Sequence, residues 1–362
     1  MQTIFNNISN IDTILKKHDI KNLFVICPQL PSIRSLIENI PVKTVIFNDF
    51  TSNPRYEEIL NAIDLYKNSN CDSLMAIGGG SAIDIAKCVK LFMRMDREDH
   101  FNTEKYADNL IPFIAIPTTA GTGSESTQYS IIYVNNEKHT VTHESIIPGF
   151  IIFIPDLLNS LPLYQKKCTF LDALCQAIES WWCIKSTQES IFFSKKAIEI
   201  LLKNYKHYLM DFDNEVNYNM LLGSNYAGKA INITQTTAPH ALSYKLTSNY
   251  KLPHGHAVAI GFPVVWQYML ENIEKTSDSR GAKYLCDTFN DISIALGYKN
   301  PSEAISGFND LLHDLEIISP ENADKNIIPD LVSSVNIQKL NNTPVAFNQE
   351  NIYQIYKNIL LK

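Results

Sequence analysis

Apolar and polar positions follow two different textures along this chain. Through roughly the first 160 residues, short apolar runs alternate with amphipathic stretches. Leu23-Phe-Val-Ile-Cys27 is a near-continuous apolar run stopped by Pro28, and Lys43-Thr-Val-Ile-Phe47 is another, ended by Asn48-Asp49. Ser73–Ile77 and Ile111–Ile116 repeat the pattern, the latter stopped by Pro117. Between them, residues 56–68 and 82–93 carry helical spacing. Apolar runs of this kind, joined by helices, predict a mainly parallel, doubly wound sheet whose two faces are both covered. Ile131–Val134 and Phe150–Ile154 are further strand candidates.

After Pro162 the texture changes. Residues 168–184, 190–205, 217–231 and 238–248 read as helices. The remainder is also mostly helical, with polar breaks near Gly297–Pro301 and Ser319–Pro320. The reading is a Rossmann-like α/β domain over residues 1–162, followed by an all-α domain over 163–362.

Composition agrees with that division. A chain of 362 residues is too long for one compact core. Its 45% hydrophobic and 19% charged content is ordinary for a globular protein. A net charge of −7 with no basic run argues against nucleic acid. No apolar stretch approaches the ~20 residues of a membrane helix. The N-terminal residues lack the basic and apolar regions of a signal peptide. Seven cysteines without a Cys-x-x-Cys pair fit a reducing, cytoplasmic setting.

Two sets of residues carry candidate chemistry. Gly78-Gly79-Gly80-Ser81 follows a strand and opens a helix. Glycines let a pyrophosphate approach the backbone, and the helix N-terminus offers free N–H groups. Ser81 is placed to cap that helix or bond a phosphate. The polar loop Pro117-Thr-Thr-Ala-Gly-Thr-Gly-Ser-Glu125 lies at the same edge of the sheet, where ligands of doubly wound folds bind. The second set is Asp172, His240 and His254. Two imidazoles and a carboxylate suit a divalent transition metal and leave an open position, the pattern of a catalytic site. Such an ion polarises a carbonyl oxygen and stabilises an alkoxide. Gln176, one turn after Asp172, is a weaker candidate ligand or an orienting group. His254, between Pro253 and Gly255, reads as sitting in a turn. Either Fe²⁺ or Zn²⁺ satisfies these ligands.

Together these motifs resemble the iron-containing alcohol dehydrogenase family over essentially the whole chain. They are Gly78-Gly-Gly-Ser-x-x-Asp84-x-x-Lys87, Pro117-Thr-Thr-Ala-Gly-Thr-Gly-Ser-Glu125, Asp172-Ala-Leu-x-x-Ala-Ile-Glu179 and Pro253-His-Gly255. The resemblance implies a dinucleotide-binding domain, a helical domain, and a metal and an NAD(P)H cofactor in the cleft between them. It implies interconversion of an aldehyde and an alcohol by a homodimer or larger assembly. Carried over by position, Gly79, Gly80, Ser81 and Asp84 belong to the cofactor loop. Thr118, Thr119, Thr122 and Thr127 line the cofactor, Asn53 lies near its adenosine half, and Lys138 matches a further cofactor residue. Asp172, His240 and His254 match three of four family ligands. Gln176 stands where the fourth, a histidine, is usual. Tyr244 stands where the family has a catalytic histidine, and its reference pKa of ~10 requires perturbation for general-base work. Pro28 occupies the place where NAD-selective relatives often have an aspartate, so NADPH is allowed, with Arg34 nearby.

Residues 172–182, 185–190 and 238–258 resemble the branch that contains the phosphonoacetaldehyde reductases. A phosphonate needs cations or donors, and Ser243, Lys245, Lys185, Asn232 and His256 are the candidates. His256 is also a candidate catalytic side chain beside Tyr244. The other readings are a short-chain alcohol or diol dehydrogenase of the lactaldehyde type, a dehydroquinate-synthase-like lyase, and a metal-free homologue without activity.

Overall fold

The computed structural model describes residues 2–135, 137–211, 213–320, 325–335 and 340–361. It divides into two compact units, Met1–Leu161 with Phe212–Leu221, and Pro162–Asp211 with Leu222–Lys362.

The first unit is built on a six-stranded parallel sheet. Its strands are β1 (Thr3–Phe5), β2 (Asn22–Ile26), β3 (Lys43–Phe47), β4 (Ser73–Gly78), β5 (Phe113–Pro117) and β8 (Phe150–Ile152), in the order β1-β8-β5-β4-β2-β3. Alternation along each strand sends side chains to opposite faces. Phe24, Ile26, Leu74 and Ala76 join one core with α3 (Tyr56–Asn68) and α4 (Gly80–Phe92). Leu23, Val25, Met75 and Ile77 join the other with α1 (Ile11–Lys17) and α2 (Pro31–Glu38). With both faces buried, no polar position interrupts β2 or β4, which is why these runs look continuous in the sequence.

Strand order reverses between β2 and β4. The chain passes from β2 outward to β3, then crosses back to β4 on the other side of β2. Ligands of open α/β sheets bind at such a switch point, beyond the carboxyl ends of the strands. Here those ends are Cys27-Pro28 and Gly78-Gly79-Gly80. The expected strand at Ile131–Val134 does not enter this sheet. It forms β6 (Tyr129–Val134), paired antiparallel with β7 (Glu137–Thr142) as a separate hairpin.

The second unit is helical. Its elements are α5 (Leu163–Trp182), α6 (Gln188–Met210), the later part of α7 (Asn214–Thr234), α8 (Ala238–Tyr250), α9 (His254–Glu271), α10 (Gly281–Ala295), α11 (Pro301–Asp314), α12 (Ile328–Ser333) and α13 (Gln349–Leu360). Helix α5 is buried continuously from Phe170 to Trp182 and packs against α6 and α9. A helix buried on all sides has no solvated face, so its polar members Asp172, Gln176 and Glu179 must find partners inside. Trp182 anchors its end, stacked 5.1 Å from Phe262 and edge-on to Trp266 at 5.6 Å. No helix among the described residues is long and apolar enough to cross a membrane. The seven cysteines are free thiols, six of them buried.

Candidate metal centre and nucleotide loops

Three helices bring Asp172, His240 and His254 together. Their ligand atoms all lie within 4.8 Å of one another. His240 Nε2 is 3.2 Å from Asp172 Oδ1, and His254 Nε2 is 4.0 Å from the same oxygen. Asp172 and His240 are buried, while His254 is half-buried and leaves an open side.

His254 is not in a turn, as its sequence neighbours suggest. It is the first residue of α9, with Pro253 as the residue before the helix. The first helical residues need no N–H acceptor within the helix, so a proline is at home there. Gly255 sets the distance between α9 and α5. A Cβ at this position would lie 2.0 Å from the carbonyl oxygen of Cys168 and 2.9 Å from Cβ of Asp172. The missing side chain lets the start of α9 close onto α5 beside Asp172.

A buried carboxylate orients His240 from behind. Glu179 Oε1 is 2.5 Å from His240 Nδ1. Glu179 Oε2 accepts from the Thr237 backbone N–H at 2.7 Å and from its hydroxyl at 2.8 Å. The Thr237 oxygen in turn accepts from Trp182 Nε1 at 2.9 Å. With Nδ1 donating to Glu179, Nε2 is the nitrogen that faces Asp172 and His254. This is the arrangement of a histidine prepared as a metal ligand. Burial works against the charged form of His240, but Glu179 and Asp172 outweigh it and push its pKa up to about 9. Burial likewise works against ionised Asp172, yet the His240 hydrogen bond and the nearby histidines hold it below the usual carboxylate range. The motif that begins at Asp172 ends on Glu179, but the sequence assigns that residue no role. Its signal was a carboxylate seven residues after Asp172, hence on the same helix face.

Gln176 donates from Nε2 to Asp172 Oδ1 at 3.2 Å, and its Oε1 is buried without a hydrogen-bond partner. A buried acceptor left unmatched beside a carboxylate and two imidazoles suits a cation at this point. Tyr244 is half-buried, and its ring stacks on that of His254, 6.3 Å between centroids and 6° between planes.

The expectation that His256 faces the chemistry does not match its placement. His256 Nδ1 meets the Tyr164 hydroxyl at 2.8 Å, and Nε2 meets the carbonyl of Ile318 at 2.8 Å. The carbonyl accepts only, so Nε2 donates and Nδ1 accepts from Tyr164, and both ring nitrogens are engaged. Among the anion-binding candidates, Ser243 donates its hydroxyl to the His240 carbonyl at 2.8 Å, and Lys185 reaches Gln235 Oε1 at 3.2 Å. The Ser243 hydrogen is thereby used within the protein, while Lys185 stays exposed with further N–H donors. Lys245 is exposed on α8, and Asn232 is half-buried on α7.

In the first unit, the glycine loop and the threonine loop pack against each other. A Cβ on Gly79 would come within 3.2 Å of Thr119 Oγ1, and one on Gly80 within 3.1 Å of Thr122 Cγ2. Gly79 precedes α4, and no side chain caps that helix. Its first N–H groups therefore lack side-chain acceptors, and they sit at the switch point of the sheet, as an anionic pyrophosphate requires. Thr118, Thr119 and Thr122 are half-buried along this edge, and Asn53 is exposed in the adjacent loop. That loop is tied to α4 by the Ser81 hydroxyl, which donates to Ser52 O at 2.6 Å. Ser81 thus uses its side chain to hold the loop, leaving its backbone N–H for a ligand.

Asp84 and Thr127 take a different position from the one expected. Asp84 is buried, accepting from Ser124 Oγ at 2.6 Å and from the Ile131 N–H at 3.0 Å. Lys87, also buried, donates to Ser124 Oγ and Thr127 Oγ1, each at 3.0 Å, and to Tyr129 O at 2.6 Å. These groups satisfy one another and clamp the threonine loop to α4. Burial lowers the pKa of Lys87 to about 8, with Asp84 and Glu125 opposing that fall. Lys138 is half-buried on β7, and its charge favours ionised Asp84.

A model of the iron-containing alcohol dehydrogenases matches residues 2–155, and one of the C-terminal part of the Fe-containing alcohol dehydrogenase family matches residues 167–360. The chain is 31% identical over 224 residues to a 4-hydroxybutyrate dehydrogenase of Clostridium kluyveri, covering 60% of each chain. It is 28% identical over 229 residues to a phosphonoacetaldehyde reductase of Streptomyces viridochromogenes, covering 60% of this chain and 58% of that one. The aligned part thus spans about three fifths of these relatives. Among solved structures, a sulfoacetaldehyde reductase of Bifidobacterium kashiwanohense in complex with NAD⁺ superposes with a TM-score of 0.88 at 24% identity, covering 99% of this chain and 96% of the other.

Proposed function

The chain belongs to the iron-containing alcohol dehydrogenase family, and on that premise we propose that it is a metal-dependent NAD(P)H oxidoreductase that reduces a short aldehyde to a primary alcohol. The observation that carries this reading is the convergence of Asp172, His240 and His254, with Glu179 fixing His240 from behind. Those three side chains would hold the ion. Backbone N–H groups at Gly80 and Ser81 would hold the pyrophosphate, with Thr118, Thr119 and Thr122 beside it. When bound, the nicotinamide supplies the hydride and the ion polarises the aldehyde oxygen.

The residues of the chain do the remaining work. Asp172 offers a carboxylate that stays ionised at neutral pH. Glu179 holds the His240 ring so that Nε2 faces Asp172 and His254. Tyr244, stacked on His254, is the titratable hydroxyl assigned to pass a proton to the new alcohol oxygen. Pro28, at the end of β2, presents no carboxylate against a 2′-phosphate, so both coenzymes are admitted.

For the substrate we favour phosphonoacetaldehyde, reduced to 2-hydroxyethylphosphonate. Support comes from likeness to the Streptomyces reductase, 28% identical over 229 residues. Lys245, exposed one residue beyond Tyr244, is the cation on offer to a phosphonate. Comparing kcat/KM for phosphonoacetaldehyde with that for uncharged short aldehydes, using NADH and NADPH, tests the assignment. Preference for the phosphonate supports it. Equal or better turnover of the uncharged set leaves a dehydrogenase of another short alcohol or diol.

A further inference from the structure

We propose that the side-chain oxygen of Gln176 is a fourth protein donor to the ion, giving this centre a harder ligand set than three imidazoles and one carboxylate would. The inference rests on the metal-site reading above and deepens it.

The geometry of one amide carries it. Gln176 is buried on α5, one turn after Asp172. Its Nε2 faces Asp172 Oδ1 at 3.2 Å. A carboxylate held ionised accepts hydrogen bonds and donates none, so the nitrogen must take that side of the amide. That contact leaves Oε1 as the unengaged end of an amide that sits beside the Asp172 carboxylate. That oxygen is buried with no partner. A buried amide acceptor without a partner is costly, and native structures rarely leave one. The Asp172 carboxylate next to this amide stands with the two imidazoles. A cation held by those three side chains would also give Oε1 its partner.

The consequence is a change in donor chemistry. Asp172 and Gln176 give two oxygens, and His240 and His254 give two nitrogens. Carboxylate and carbonyl oxygens suit Mn²⁺, whereas imidazole suits Zn²⁺. A neutral amide in place of a third or further imidazole therefore weakens the hold on Zn²⁺ more than the hold on Mn²⁺. Gln176 is, on this reading, a residue that sets which ion the centre prefers.

The test is chelator-competition titration of the full chain with Zn²⁺ and with Mn²⁺, for wild type, Gln176→Leu and Gln176→His. Gln176→Leu removes the oxygen and is expected to weaken Mn²⁺ about tenfold or more, within the range seen when groups around a metal are changed. Gln176→His is expected to raise the preference for Zn²⁺ over Mn²⁺ by at least about tenfold. Unchanged Mn²⁺ affinity in Gln176→Leu overturns the inference, as does an unchanged preference in Gln176→His. The histidine variant keeps a polar group at the site and decides the matter alone if the leucine variant does not fold. A wild-type chain that binds neither ion overturns the metal reading itself, and the inference with it.

Discussion

Glu179 reaches His240 across 61 positions of sequence and holds its Nδ1 at 2.5 Å, from a position with no solvent exposure. A bare buried carboxylate is costly, and this one accepts from three donors: His240, the Thr237 N–H and the Thr237 hydroxyl. The Thr237 N–H belongs to the residue that precedes α8. Glu179 thus fixes both the ring of His240 and the start of the helix that carries it.

Glu179→Gln keeps the shape and one acceptor but loses the charge behind His240. Metal affinity is expected to fall by roughly 10–100-fold, with circular dichroism unchanged. Chelator competition measures it. Affinity equal to wild type would mean that Glu179 serves packing alone.

Tyr244 and His256 separate under mutation. Tyr244→Phe keeps the stack on His254 and removes the hydroxyl, so kcat is expected to drop by about 10²-fold or more while metal affinity holds. Tyr244→His is expected to recover much of that loss. His256→Ala removes the bridge between Tyr164 and Ile318, so it is expected to lower stability by about 1–3 kcal/mol and leave kcat within a fewfold. Steady-state rates with thermal melts distinguish the two. The reverse pattern would return His256 to the chemistry.

Gly255→Ala places a methyl group where the Cys168 carbonyl and Asp172 already stand. Helices α9 and α5 must move apart, at a cost of about 1–3 kcal/mol or more. His254 moves with α9, so metal affinity is expected to fall along with the melting temperature. A variant as stable and as metal-avid as wild type would show that the close approach is unimportant.

The fold is legible in the sequence where apolar runs or helical spacing are strong. Helix α3 and strand β3 lie at the residues their spacing marks, and the apolar runs of β2 and β4 reflect a sheet covered on both faces. Strand β7 was invisible because Val141 is its only buried residue, and β1 because it is three residues long. Helix α5 begins five residues before its periodic stretch, since Leu163 and Tyr164 at its start are exposed. At the site, residue chemistry named Asp172, His240 and His254, but their meeting depends on helix packing that no local pattern encodes. Asp84, Thr127 and His256 are legible in the sequence as polar groups, but their direction is not. In the structure each of them meets protein partners.

Lys87 links α4 to the threonine loop and the start of β6 through three hydrogen bonds from a fully buried ammonium. Lys87→Met leaves Asp84, Ser124 and Thr127 without their cation. Stability is expected to fall by about 3–5 kcal/mol, and coenzyme affinity to weaken as the loop loosens. Denaturant unfolding and coenzyme titration measure the two effects. Unchanged coenzyme affinity in a destabilised variant would confine the clamp to folding.

The most direct measurement follows the ion and the coenzyme together. The chain is stripped with chelator, reconstituted anaerobically with Fe²⁺ or Zn²⁺, and assayed for NAD(P)H consumption with phosphonoacetaldehyde and a panel of short aldehydes. The expected result is about one ion per chain at the Asp172–His240–His254 cluster, with NAD(P)H consumption that tracks the ion bound. His254→Ala should lose both while still binding coenzyme. A chain that holds no ion, or one that consumes NAD(P)H equally well after stripping and in His254→Ala, would contradict the assignment of the reaction to this centre.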